Sequence, residues 1–254
     1  MKNLFNELFR PRDPYSLFTE DGIGIAFHHY RKEGSKVIIL AHGFYNNKDA
    51  YLFRYIAASI FKEYPVISFD FRGHGQSEGL FSWTSDEEKD LRAVIAYARQ
   101  NGYEKIGVVG FSLGAAVAIV EAAKNDVIDS VIAVSAPYDF WKINCHFWKE
   151  DMLDDLVLNV GPKGKGKGVR PGSPFREKVS PISVVNSIAP KPILFIHGKK
   201  DWLIHYSHSE KLFEAAEEPK KIVILEGAGH AERICDVMPE EFERLCFDWF
   251  RETL

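Results

Sequence analysis

The chain has 254 residues, a length that suits one large α/β domain. Hydrophobic residues make up 46% and charged residues 27%, the balance of a soluble globular protein that can bury a sizeable core. A formal net charge of −4 argues against binding nucleic acid through a broad basic face, and no apolar run is long enough to span a bilayer.

Near the N-terminus, Leu4, Phe5, Leu8 and Phe9 fall at helical spacing and predict a short helix packed on the body. That stretch lacks the apolar core and small-residue cleavage site of a secretion signal. After Pro14 strands and helices alternate. Strands are predicted over Ile23 to Tyr30 and over Lys36 to Leu40, the second containing the β-branched run Val37-Ile38-Ile39. Ala50 to Lys62 has helical periodicity, and Val66 to Asp70 is the next strand. A helix over Ser85 to Asn101 opens with Ser85 as N-cap and Glu88 at the capping-box position. Lys105 to Gly110 is a strand, followed by a helix-forming stretch over Ala115 to Ala123. Further strands are predicted at Ser130–Ser135, Ile193–Ile196 and Ile222–Leu225, and a closing helix over Pro239–Phe250.

Nearly continuous apolar strands alternating with helices predict a mainly parallel sheet covered on both faces. On such a sheet ligands bind beyond the carboxyl ends of the strands. One interval breaks the rhythm. Between Ala136 and about Val185 no strand pattern occurs, although Trp141, Phe147 and Trp148 lie there beside a glycine–lysine run over residues 161–168. So long a connection in a compact domain predicts an inserted, partly helical cap. Cys145, Cys235 and Cys246 show no C-x-x-C spacing and cannot all pair within the chain, which favours reduced thiols and a cytoplasmic location.

Gly110-Phe111-Ser112-Leu113-Gly114 spells G-x-S-x-G between a buried strand and an alanine-rich helix. That is the context of a nucleophile elbow, a sharp turn that lifts a serine hydroxyl out of the backbone. A serine hydroxyl needs an imidazole base, and the imidazole needs a carboxylate to hold it. His230 follows the last strand in Glu226-Gly227-Ala228-Gly229-His230. Asp201, a few residues past the preceding strand, is favoured as the acid over Asp139, which follows the strand before that. Asp236 comes after the histidine, against the chain order of acid then histidine.

Acyl transfer also requires donors for an oxyanion. The backbone N–H of Leu113 and that of Phe44, in Ala41-His42-Gly43-Phe44, occupy the expected positions, with Gly43 letting the main chain approach a substrate. His42 is read as structural, as are Asp70, Arg72 and His74 in the loop Asp70 to Ser77.

These landmarks run through the chain in a family order, and the sequence resembles a serine hydrolase of the α/β-hydrolase fold superfamily, esterase- or lipase-like branch. The resemblance implies an eight-stranded, mostly parallel sheet flanked by helices, in one domain of residues 1–254, with a cap inserted at residues 137–185. It implies Ser112, Asp201 and His230 as a catalytic triad, with neither metal nor organic cofactor. His205 and His208 lack a third ligand nearby, so no metal site is expected from them. Gly43, Phe111, Trp141 and Trp148 are expected to line an apolar substrate pocket. The expected activity is hydrolysis of a small-molecule carboxylic ester of short to medium acyl chain. A thioesterase or amide hydrolase on the same residues, or a non-catalytic binding protein, are the alternatives. Neither a nucleic-acid partner nor stable membrane insertion is expected.

Overall fold

The computed structural model describes residues 17–143 and 168–254. The predicted N-terminal helix, Cys145, Phe147, Trp148 and residues 161–167 lie outside the described residues.

Nine strands occur among the described residues: β1 (Leu17–Phe18), β2 (Gly24–Ile25), β3 (Phe27–Tyr30), β4 (Lys36–Ala41), β5 (Val66–Phe69), β6 (Lys105–Phe111), β7 (Ser130–Val134), β8 (Ile193–Gly198) and β9 (Lys220–Leu225). Seven form one sheet in the order β3-β5-β4-β6-β7-β8-β9, parallel throughout except for β3, which runs antiparallel to β5. The helices are α1 (Tyr51–Ile60), α2 (Glu87–Gln100), α3 (Leu113–Lys124), α4 (Ser207–Ala215), α5 (Arg233–Val237) and α6 (Pro239–Thr253).

Period-two alternation divides each strand between two cores. In β4, Val37, Ile39 and Ala41 join the core under α2, α3 and α4, with Leu91, Ala118 and Leu212. Ile38 and Leu40 join the opposite core under α1, α5 and α6, with Phe53, Ile234 and Phe250. Both faces of the central strands are thus dry, which is why these strands read as continuous apolar runs.

Three expectations change. The sheet has seven strands among the described residues, against the eight implied by resemblance. The run Ile23 to Tyr30, read as one strand, divides at Ala26, whose N–H donates to Ser77 Oγ at 2.9 Å and whose carbonyl accepts from Asp70 N–H at 2.9 Å. Its first half is thereby diverted into a separate two-stranded ribbon with Leu17–Phe18, and only the second half reaches the main sheet. Helix α2 is not capped by a Ser85–Glu88 box either. Glu87 instead ties down the turn ahead of the helix: its carboxylate accepts from Ser82 N–H (2.7 Å), the Ser82 hydroxyl (2.8 Å) and Thr84 N–H (2.7 Å). Burial lifts the Glu87 carboxyl above its ordinary range in spite of those donors.

The loop after β5 is tied down by buried charge. Lys48 is 1% exposed, and its ammonium donates to Asp70 Oδ2 (2.9 Å), Asp49 Oδ2 (2.8 Å) and Gln76 Oε1 (2.7 Å). Burial opposes the ammonium charge, yet Asp70 and Asp49 hold its pKa above the ordinary lysine value. Asp70 also accepts from Lys48 N–H and Gln76 N–H, so one carboxylate binds the segment after β4 to the segment after β5. Arg72 completes the loop by donating from Nε and Nη2 to Asp90 Oδ1 at 2.9 and 2.7 Å. Asp70, Arg72 and His74 are therefore engaged within the scaffold.

Lys48→Met keeps the stem but leaves the Asp70 charge without its cation. The expected loss is about 3–5 kcal/mol of stability, equivalent to a fall in Tm of roughly 10 °C for a domain of this size. Thermal unfolding followed by circular dichroism measures it. A variant as stable as the parent would show that the buried pair does not hold this loop.

Candidate active site

The loops after β4, β6, β7, β8 and β9 gather at the carboxyl ends of the parallel strands. At the end of β6 the backbone reverses at Ser112, which adopts φ 52° and ψ −116° before α3 begins at Leu113. A non-glycine residue at positive φ is costly, and such strain collects at functional turns. The flanking glycines are sterically required. A Cβ on Gly110 would stand 2.5 Å from the Gly114 carbonyl oxygen, and one on Gly114 would stand 2.2 Å from that of Ala41.

Ser112 Oγ lies 3.1 Å from His230 Nε2, and His230 Nδ1 lies 2.7 Å from Asp201 Oδ2. All three residues are buried. A carboxylate only accepts, so His230 carries its proton on Nδ1 and presents a bare Nε2 to the serine hydroxyl. Asp201 Oδ1 accepts from Leu203 N–H (3.0 Å) and Ile204 N–H (2.8 Å). Burial works against ionisation of Asp201. The positive character of His230 and the hydrogen bonds from His197 and His230 prevail, holding the carboxyl well below the ordinary carboxylate range.

Asp139, the competing acid, is occupied elsewhere. Its carboxylate accepts from Trp141 N–H at 2.7 Å and from the Ser180 hydroxyl at 2.8 Å.

Gly43 packs directly on the serine: a Cβ there would stand 3.1 Å from Ser112 Cβ and 3.2 Å from the Phe111 carbonyl oxygen. The Leu113 N–H, first in its helix, has no helical acceptor behind it. Neither it nor the Phe44 N–H donates to any acceptor among the described residues. His42 sits beneath, donating from Nδ1 to the Gly43 carbonyl (2.7 Å) and accepting at Nε2 from Phe71 N–H (3.0 Å).

Of the residues expected in a substrate pocket, Phe111 lies elsewhere. Its ring is fully buried in the core, 5.1 Å from Phe53 and 6.0 Å from Phe242 between ring centres, because β6 alternation points it away from the α3 side. Trp141 does line a small cavity of about 30 Å³ beside Leu113, together with Phe140, Lys178 and Pro181. Trp148 lies outside the described residues.

Several residues that the sequence reading passed over hold the site together. The Ser135 hydroxyl accepts from Ala231 N–H at 3.0 Å, and Asn46 Nδ2 donates to Glu232 Oε1 at 2.6 Å, so the histidine loop is fastened to the loops after β7 and β4. Phe44, Phe81 and Trp83 form an aromatic wall with centroid separations of 5.1–5.2 Å. Neither polar contact has a local sequence signal. Their partners are distant in the chain.

The chain belongs to the α/β-hydrolase family: the family model described as alpha/beta hydrolase fold matches residues 36–169. Among curated proteins, it is 30% identical over 216 residues to the uncharacterized protein YqkD of Bacillus subtilis (strain 168), covering 76% of this chain and 64% of YqkD. It is 26% identical over 205 residues to the uncharacterized protein YfhR of Escherichia coli O157:H7, covering 78% of this chain and 64% of YfhR. The match thus spans less than two thirds of either relative. Among solved structures, the Pyrococcus furiosus esterase Pf2001 superposes with a TM-score of 0.79 at 24% identity, covering 100% of this chain and 96% of that one. The α/β hydrolase GrgF from Penicillium sp. sh18 superposes with a TM-score of 0.75 at 19% identity, covering 93% of this chain and 96% of that one. At these identities the structural likeness establishes the fold.

Burial drives the imidazole of His42 down from the ordinary 6.5 to about 4 and that of His74 to about 3, so both are neutral in the folded protein at moderate pH. For a base depressed on folding, the unfolded chain takes up the proton first, and stability is lost as pH falls from 6.5 toward the folded value. His74→Asn keeps a donor for the Arg72 carbonyl, which His74 Nδ1 now reaches at 3.1 Å, and removes the titration. Between about pH 7 and pH 5, wild type should therefore lose about 1–2 kcal/mol relative to this variant. Urea midpoints of both proteins at the two pH values decide it. Parallel losses would show that His74 is not held neutral.

Proposed function

We propose that the chain is a serine carboxylic-ester hydrolase acting on small-molecule esters of short to medium acyl chain through an acyl-enzyme intermediate. The single observation that carries the reading is the buried hydrogen-bonded series Ser112–His230–Asp201, with separations of 3.1 and 2.7 Å. In this reading His230 Nε2 takes the Ser112 proton as Oγ attacks the ester carbonyl carbon. The backbone N–H groups of Phe44 and Leu113 receive the negative charge that develops on the carbonyl oxygen. His230 then protonates the leaving alcohol. It next removes a proton from water, which attacks the acyl carbon and releases the acid, returning the serine. Asp201 remains ionised and stabilises the imidazolium throughout.

The lining of the small cavity by Phe140, Trp141 and Pro181 supports an apolar acyl group. Residues 137–185 act as a cap in this reading. The name esterase borne by the Pyrococcus furiosus neighbour agrees with it.

The test is hydrolysis of p-nitrophenyl esters of increasing acyl length, wild type beside Ser112→Ala and His230→Ala. Turnover by wild type should fall on the order of 10,000-fold or more in either variant, with an optimum at short to medium length. Full activity in folded Ser112→Ala would overturn the mechanism. No turnover on any ester would transfer the reading to a thioester or amide, or to binding alone.

A further inference from the structure

Two more buried side chains continue the hydrogen-bonded series beyond Asp201. His197, in β8, is fully buried, with Nε2 3.1 Å from Asp201 Oδ2 and 2.8 Å from the Ile204 carbonyl oxygen. Both neighbours can only accept, so Nε2 carries the proton. On the other edge of the ring, Nδ1 lies 2.7 Å from Ser209 Oγ. In the neutral ring Nδ1 is an acceptor, so the fully buried Ser209 hydroxyl donates to it. The direction of every bond follows: Ser209 donates to His197, and His197 donates to Asp201. Oδ2 of Asp201 thus accepts from two imidazoles, His230 and His197, while Oδ1 accepts from two backbone amides.

We infer that His197 and Ser209 are positioning residues for the Asp201–His230 pair: Ser209 holds the His197 ring in place through Nδ1, and His197 fixes the carboxylate oxygen that orients His230. The inference rests on the proposed hydrolase mechanism. Without the Ser209 hydroxyl, Nδ1 loses its hydrogen-bond partner and the ring is free to tilt, which weakens the bond from Nε2 to Asp201 Oδ2. Without a donor at position 197, Oδ2 is left to His230 alone. The carboxylate is then a stronger acceptor, holds the His230 proton more firmly, and sits in a less determined orientation.

The experiment compares wild type, Ser209→Ala, His197→Leu and His197→Gln on a p-nitrophenyl ester, with kcat, KM, the pH profile of kcat/KM and Tm for each. Ser209→Ala and His197→Leu should lower kcat by roughly 10- to 100-fold, the scale of a hydrogen bond to a charged group, with KM little changed. The acid limb of kcat/KM should move to higher pH in both. His197→Gln, whose amide nitrogen can donate toward Asp201, should recover most of kcat and return the limb toward wild type. A packing role alone would lower Tm and leave the acid limb in place, and that result overturns the inference. So would a glutamine variant no better than leucine.

Nitrogen-15 spectra of the histidine rings provide a readout that needs no turnover. Wild-type His197 should carry its proton on Nε2, and Ser209→Ala should keep it there while shifting the Nδ1 resonance as that nitrogen loses its hydrogen bond. A wild-type His197 protonated on Nδ1 would overturn the assignment even if the ester assay succeeds. If wild type hydrolyses no ester, the hydrolase reading fails, while the spectra still decide the tautomer.

Discussion

The site depends on one backbone constraint, the reversal at Ser112 with φ 52° and ψ −116°. Such a conformation costs on the order of 1–3 kcal/mol and persists only where its surroundings over-determine it. Here β6 is paired on both edges, to β4 and to β7, so the incoming strand cannot shift. The Ser112 N–H donates to the Val134 carbonyl at 2.8 Å, which pins the turn to the next strand. On the outgoing side, residues Leu113 to Ala122 of α3 are all buried, so the helix cannot relax outward without exposing apolar surface. Relaxing the turn would break the pairing of a central strand or lift a buried helix. Either costs more than the strain.

Buried carboxylates separate scaffold from site by the kind of partner each has. Asp70 and Asp90 are both fully buried, and each faces a permanent cation, Lys48 at 2.9 Å and Arg72 at 2.7 Å. Their charges are matched whatever happens at the serine. Among the described residues Asp201 has no permanent cation as a hydrogen-bond partner; it accepts from two imidazoles and two amides. The dipoles around such a carboxylate leave part of its field uncompensated. A proton arriving on His230 completes the compensation. In the proposed mechanism that partner set leaves Asp201 to stabilise a transient positive charge, a task for which Asp70 and Asp90 are already spoken for.

Much of this was legible in the sequence because it is written locally. Parallel strands buried on both faces appear as runs such as Val37-Ile38-Ile39-Leu40, and the elbow appears as five consecutive residues between a strand and a helix. What was not legible depends on contacts between distant segments. The split at Ala26 requires Ser77, 51 residues away. The choice of Glu87 over Glu88 as the acceptor at the start of α2 depends on where Ser82 and Thr84 sit, one residue out of the capping-box register. Phe111 is part of the motif, yet strand alternation sends its ring into the core, and a pattern of residue types does not state which face a position takes. His197 precedes a glycine in a strand end that reads simply as the lead-in to Asp201. Only the placement of Ser209 on α4 shows which edge of its ring faces which partner.

The loops that bear the site are held less by themselves than by one another. Asn46 joins the loop after β4 to Glu232 across 186 residues, and Ser135 joins the loop after β7 to Ala231 across 96. Both contacts close on the residues just after His230, the group that must reach Ser112 and Asp201 together. A side chain on a free loop would sample many orientations, and a hydrogen-bonded series of three groups tolerates few. The same reasoning separates Asp139 from Asp201. Asp139 follows β7, and its two oxygens join Trp141 to Ser180. Its acceptor capacity is thus taken up away from the histidine. Asp201 follows β8, next to β9 and the loop that carries His230, so strand order alone brings it to the imidazole. Position in the sheet, more than the type of residue, decides which carboxylate faces the histidine.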